Sequence, residues 1–390
     1  GFVRGFFNVI KAATTGTGSA LQRMFITGVS PVTMDDVTSG FNIGTNITTD
    51  PWFNDLVGFS EAELREMLTY YKEQGVLMQT VDETIVMMKP NYDNYCFSEE
   101  KLAQCMFNSD MALYFMKSFV LHHVKPKEIV DPNIRTDFNK LAYLIRLDHG
   151  LGENFSVIKE IAEQGEITTD IATHFSALEM TDVRNFKSLL FYFGLLSIKG
   201  VDMVGRPILH VPNLVVREQL FSFLIRGYIK HDIFKIDMNR MTMLFENMAF
   251  RGDWKPLFNF IAEAIREQSR IREYIEGEAH IKGFLLAYLG MYRYYQLYPE
   301  YELNKGFADF LFKPSPSVPV MPPLTYLLEV KYAKAGTSEK EIRALADEAR
   351  EQLLRYSQDE LVAEAKAKGG LKLITIVWCS WELVLLEEVL

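Results

Sequence analysis

The sequence predicts a multidomain protein of the α+β or α/β class. Its N-terminal and middle parts read as mostly helical, and it closes on a C-terminal αβββαβ unit with a mixed sheet. Three observations predict this. Apolar residues recur at helical spacing through much of residues 58–276, as at Leu64, Met67, Leu68 and Tyr71. Short apolar runs rich in aromatic and β-branched residues follow at 306–312, 325–332 and 371–379. Two of those runs carry embedded charge: Asp309 lies in Gly306-Phe307-Ala308-Asp309-Phe310-Leu311-Phe312, and Glu329 and Lys331 lie in Tyr326-Leu327-Leu328-Glu329-Val330-Lys331-Tyr332.

Composition sets the outer bounds. A chain of 390 residues is long for one core and suggests two or three domains. With 48% hydrophobic and 24% charged residues it is an ordinary globular composition. No apolar run approaches the roughly 20 residues that span a bilayer, so no membrane partner is expected. Cys96, Cys105 and Cys379 are too few and too scattered for a disulfide framework or a zinc site, and a reducing cytoplasm is the expected compartment. The net charge of −10 argues against a protein that coats nucleic acid nonspecifically, although a local basic groove can still hold a backbone. Residues 1–20 lack the basic and continuous apolar segments of a signal peptide. The chain opens on Gly1 within an apparent element, as expected of a fragment.

Residues 1–57 read as helix, strand and loop. Phe25-Ile26-Thr27-Gly28-Val29 has the β-branched, Gly-ended pattern of a buried parallel strand. Gly16-Thr17-Gly18-Ser19 lacks the spacing and the lysine of a phosphate-binding loop, so no ATP hydrolysis is expected. Residues 58–165 form a second segment, helical throughout. Ser60 caps a helix with Glu61 and Glu63 in its first turn. Amphipathic spacing continues over 101–123, and another helix is expected at 139–147.

A third segment, 166–276, changes rhythm. Two short helices at 175–180 and 183–193 precede strands at 194–198 and 206–211, and a helix resumes at 214–225. Two helices, a hairpin and a further helix make a winged-helix-like pattern. Arg184 and Lys187 stand alone in the candidate recognition helix, so a structural or protein-contact role competes with DNA binding. At 231–276, Arg266, Arg270 and Arg272 alternate with Glu263, Glu267 and Glu273, as on a solvated helix face.

The fourth segment, 277–390, carries the chemistry. Its first helix has an apolar stripe through Ile281, Phe284, Leu285, Tyr288 and Leu289, with Glu278 one turn earlier on the same face. Alternation along the 325–332 strand puts Glu329 and Lys331 on one side. Burying either ion costs several kcal/mol unless a partner or a metal compensates. Two carboxylates and a lysine on adjacent strands meet that demand by binding Mg²⁺ or Mn²⁺ and orienting a water. That is the chemistry of metal-assisted phosphodiester cleavage, with Asp309 and Glu329 as the expected metal ligands, the Val330 carbonyl a third, and Lys331 expected to orient the water or neutralise charge on the attacked phosphate. Lys305 and Lys334 are candidates for flanking phosphates, and Glu302 is a weaker acidic candidate. A helix at 339–356, a central strand at 371–379 and an edge strand at 381–389 complete the segment.

Asp309 with Glu329-Val330-Lys331 resembles the D…ExK core of the PD-(D/E)XK nuclease superfamily. The surrounding runs 302–309 and 326–332 resemble the nuclease-like domain at the C-terminus of a bacterial family of AAA-type ATPases. Arg23-Met24-Phe25-Ile26-Thr27-Gly28-Val29-Ser30-Pro31-Val32 and Thr38-Ser39-Gly40-Phe41-Asn42-Ile43 resemble the late part of that family's ATPase domain. The resemblance implies a restriction-endonuclease-like fold for 277–390 and a remnant of an ATPase core in 1–57. It implies a glutamate lent by the first helix, for which Glu278 is the candidate, and a substrate-side Gln352 and Tyr356. Nucleic acid, with DNA favoured, is the implied partner, and a homo-oligomer is implied for the longer protein. A noncatalytic nucleic-acid-binding or assembly module with a degenerate site is the alternative.

Overall fold

The computed structural model describes residues 2–14, 18–28, 45–122, 126, 153–173, 175, 179, 182–230, 235–268, 277–303, 306–315, 318 and 320–389. The expected helix at 139–147, most of that at 175–180, the motif at 38–43, Val29, and Arg270, Arg272 and Glu273 lie outside these residues. The chain divides into two compact units, residues 1–161 with 165–216, and residues 162–164 with 217–390.

In the first unit, α1 (Phe2–Thr14) precedes a segment that departs from expectation. Residues 22–28 form no strand, Phe25 is 66% exposed, and the segment joins neither described sheet. A buried parallel strand needs paired neighbours and cover on both faces, and the described residues supply neither here. Helices α2 (Glu61–Glu73) and α3 (Val81–Tyr92) each begin with a reciprocal cap, Ser60 with Glu63 and Thr80 with Glu83. Such a cap satisfies two otherwise orphaned donors. Helix α4 (Ser109–His122) starts later than its apolar pattern, because residues 99–101 make a 3-10 turn and Met106 bridges to Tyr95. Leu64, Leu68, Ile85, Met88, Tyr92, Phe115 and Phe119 form the core of this part.

Helix α5 (Glu153–Gln164) leads to β1 (Glu166–Thr168), α6 (Val183–Tyr192), β2 (Ser197–Val201) and β3 (Pro207–His210). The strands form an antiparallel sheet in the order β1-β3-β2, with β3 in the middle and β2, its hairpin partner, at one edge. Helix α7 (Leu214–Lys230) follows.

The second unit holds α8 (Met238–Arg251), α9 (Lys255–Glu267) and α10 (Glu278–Leu289). Then come β4 (Tyr295–Leu303), β5 (Gly306–Pro314), β6 (Thr325–Ala333), α11 (Glu339–Tyr356), α12 (Glu360–Ala367), β7 (Leu371–Cys379) and β8 (Glu382–Glu388). The sheet runs β4-β5-β6-β7-β8 and is mixed: β6 and β7 are parallel, the other neighbours antiparallel. This is the αβββαβ order with α12 and β8 added, consistent with a restriction-endonuclease-like fold. Helices α8 and α9 join this unit ahead of the boundary expected at 277. The Tyr326 hydroxyl donates to the Met248 carbonyl at 2.7 Å, and the Trp254 indole N–H to Glu388 at 3.1 Å.

Helix α11 covers one face of the sheet. Its start is fixed by Ser338 and Glu341, which cap each other. Leu353 and Tyr356 pack there against Leu303, Ala308, Leu311, Leu327 and Leu373. Each large apolar side chain buried this way contributes roughly 1.5–3 kcal/mol. Tyr295 sets its ring edge-on to Phe312 and Tyr326 in a second aromatic group.

Gly306, the first residue of β5, leaves no room for a side chain. A Cβ there would stand 2.6 Å from the Tyr356 hydroxyl and 2.7 Å from its ring. Gly306→Ala should therefore cost about 1–3 kcal/mol of stability, read by urea denaturation of the full chain.

Candidate active site

Strands β5 and β6 pair only at Phe310, Leu311 and Phe312 opposite Leu328, Leu327 and Tyr326. Beyond that point β5 stays with β4 as far as Gly306, and β6 stays with β7 as far as Ala333. The two strands part like a fork, with Asp309 on one prong and Glu329 on the other. Both are buried, Asp309 at 6% exposure and Glu329 at 2%.

The fork frees main-chain groups that a continuous ladder would use. The Val330 N–H donates to Asp309 Oδ2 at 2.6 Å. The Asp309 N–H reaches Glu329 Oε1 only at 3.4 Å. A residue in an extended strand directs its N–H and C=O to the same edge, so the Val330 carbonyl also faces the gap.

Two ammonium groups flank the acids. Lys282, from α10, pairs with Asp309 Oδ1 and lies 2.8 Å from Glu278 and 3.1 Å from Glu300. Lys331 lies 3.7 Å from Glu329 Oε2 and 3.4 Å from Glu348 on α11. Two cations thus face five carboxylates, an excess of negative charge.

The compensation is uneven. Asp309 has a close partner on each oxygen, whereas Glu329 has two distant ones. Burial pushes the Glu329 carboxyl up, the charge of Asp309 pushes further, and Lys331 opposes, leaving it at about 8. Burial also raises Asp309, with Lys282 opposing. Burial alone would lower Lys282, but Asp309 and Glu278 outweigh it and hold the ammonium above the usual lysine range.

The expected site residues fall into three groups. Asp309, Glu329, Val330 and Lys331 come together at the fork. Glu278 is not on the buried stripe: it is 40% exposed in the first turn of α10 and reaches Asp309 only through Lys282. Gln352 lies one turn beyond Glu348, with a buried amide oxygen that has no hydrogen-bond partner. The remaining candidates are elsewhere. Tyr356 is buried against Gly306, with Arg355 over its ring, and offers no surface to a substrate. Lys334 is exposed in the turn after β6, Glu302 is exposed on β4, and Lys305 lies outside the described residues.

Sequence reasoning missed Lys282, Glu300 and Glu348. A signal for Lys282 existed: it is the lone lysine of the apolar helix Glu-Ala-His-Ile-Lys-Gly-Phe-Leu-Leu-Ala-Tyr-Leu, four residues after Glu278. Glu300 carries a left-handed backbone, φ 43°, opposite Asp309, where the β4–β5 ladder skips a pair. Strain of that kind gathers at functional sites.

The donors suit a hard divalent cation: two carboxylates and a main-chain carbonyl, with an ammonium already standing at one oxygen. Among the described residues no three acidic, histidine or cysteine side chains converge to cage a metal on their own. Waters would complete the shell, which is how magnesium is commonly held.

Residues 276–388 match the sequence profile of the PD-(D/E)XK nuclease superfamily. They are a PD-(D/E)XK nuclease superfamily domain. The match covers less than a third of the chain and leaves the N-terminal segments unassigned. A search of curated proteins found no match. No helix among the described residues is long and apolar enough to cross a membrane.

The nuclease-superfamily domain carries a pH signature. Glu329 ordinarily titrates near 4.5 and here near 8, so the folded state binds its proton more tightly. The resulting stabilisation is complete below about pH 4.5 and is lost as pH rises to about 8. Glu329→Gln should melt above the parent at pH 8, and the gap should close toward pH 5. The stability difference should change by up to ~1.4 kcal/mol per pH unit within that window, read by melting curves across the range.

Proposed function

We propose that residues 276–388 hydrolyse phosphodiester bonds in nucleic acid, DNA being the favoured polymer, with Mg²⁺ or Mn²⁺ as cofactor. The observation that carries this reading is the pair of buried carboxylates facing each other across the fork, one of them, Glu329, with only distant partners. A buried acid left so poorly compensated is what a metal site needs before it is filled. The superfamily match supports the reaction class.

Asp309, Glu329 and the Val330 carbonyl would hold the metal. Held there, such a cation would supply acidification of a water and positive charge beside the scissile phosphate. Lys331 stands 3.7 Å from Glu329, where its ammonium can orient that water or meet charge that develops on phosphate oxygens. Glu348 on α11 lies 3.4 Å from the same ammonium. The unpartnered Gln352 amide oxygen, one turn further on, is suited to bind a water or the substrate.

For the first unit we propose a winged-helix-like element formed by β1, α6, β2 and β3, serving as a protein contact. Three of its cations are paired in place: Arg184 with Asp170 at 3.6 Å, Lys199 with Glu166 at 2.5 Å and Arg206 with Asp202 at 2.8 Å. Cations neutralised this way contribute little to phosphate binding. Sequence resemblance alone supports reading residues 1–57 as the late part of an AAA-type ATPase domain.

The test is divalent-ion-dependent nicking of supercoiled plasmid, with a structured RNA run beside it. Glu329→Ala and Lys331→Ala should each lower the rate at least about 100-fold, and a chelator should abolish it. Arg184→Ala should cut as the parent does. Equal cleavage by the parent and both site variants would end the nuclease reading.

A further inference from the structure

We propose that Lys282 is a resident counter-cation of the acid cluster, which a divalent metal must displace before it can bind. The inference rests on the nuclease reading and adds a residue to it. Lys282 is only 19% exposed, and its ammonium sits on Asp309 Oδ1, the oxygen turned away from the Val330 N–H. The other Asp309 oxygen already accepts that N–H, which leaves Oδ1 with the greater free acceptor capacity, and Lys282 covers it.

The displaced ammonium is not stranded. Glu278 at 2.8 Å and Glu300 at 3.1 Å already hold it from the other side, so it can leave Asp309 while keeping two partners. Glu278 belongs to the same helix, four residues away, and Glu300 stands on β4 at a residue with a left-handed backbone. In the structure Lys282 touches all three acids at once, and on this reading a bound metal would leave it on Glu278 and Glu300 alone.

Competition of this kind lowers apparent metal affinity by the fraction of molecules with Oδ1 free. A bound cation close to the site also repels a second one directly. Both effects vanish when the lysine is replaced by a neutral side chain, and both persist when arginine replaces it.

The full chain, free of nucleic acid, is titrated with Mn²⁺ by calorimetry. Lys282→Met should bind Mn²⁺ at least tenfold more tightly than the parent, and Lys282→Arg should stay within about threefold of it. Lys282→Gln carries the same expectation as Lys282→Met and decides the matter if the methionine variant does not fold, as judged by circular dichroism. Equal or weaker binding by the folded neutral variant overturns the role of Lys282 and leaves the metal site standing. Absence of binding in parent and variants alike, at millimolar Mn²⁺, overturns the metal site and the inference together.

Discussion

The second unit is organised around a carboxylate that its surroundings do not satisfy. Glu329 sits in a strand paired on both sides over part of its length, almost fully buried, with its nearest hydrogen-bond donor at 3.4 Å and its nearest ammonium at 3.7 Å. Taking such a group out of water costs several kcal/mol, and the fold must carry that cost from elsewhere. It does so through apolar packing. The Leu353 and Tyr356 cluster on one side and the aromatic group around Tyr295 on the other hold β6 in place. The parting of β5 from β6 then gives Asp309 and the Val330 backbone room to face Glu329. A rigid sheet is what keeps this poorly compensated acid in a useful position.

Much of this was legible in the sequence, for reasons that differ by element. The span of α11, 339–356, follows from a capping pair and a clear apolar stripe, both local features. The span of β7, 371–379, follows from an apolar run with no competing period. The D…ExK residues stood out because charge in an apolar strand calls for explanation. Strand β4 was not legible, since Pro299, Glu300 and Glu302 interrupt its alternation. Its identity comes from pairing with β5, a nonlocal fact. The reverse failure is the segment around Phe25, whose composition is that of a strand but which joins no described sheet. Strand preference expresses a fit to neighbours, and composition alone does not supply them.

Lys282 illustrates a different limit. An i,i+4 acid–lysine pair on a helix ordinarily reads as a solvated surface bridge worth a few tenths of a kcal/mol. Here the lysine turns inward and meets a buried acid from β5, so the pair becomes the outer part of a network that reaches into the core. Its meaning depends on which way one turn of α10 faces, and the spacing of charges does not reveal that. Tyr356 shows the opposite: its position on α11 was foreseen, but the absence of a side chain at Gly306 draws the ring into the core.

The backbone at Glu300 has one more consequence. Strand β4 is the outer edge of its sheet, where unpaired main-chain groups invite another chain to add itself. A proline at 299, acids at 300 and 302 and the left-handed backbone of Glu300 itself deny that edge the flat, regular template such addition requires. The bend at Glu300, the residue that pairs with Lys282, therefore also makes the β4 edge a poor template for a strand from another copy.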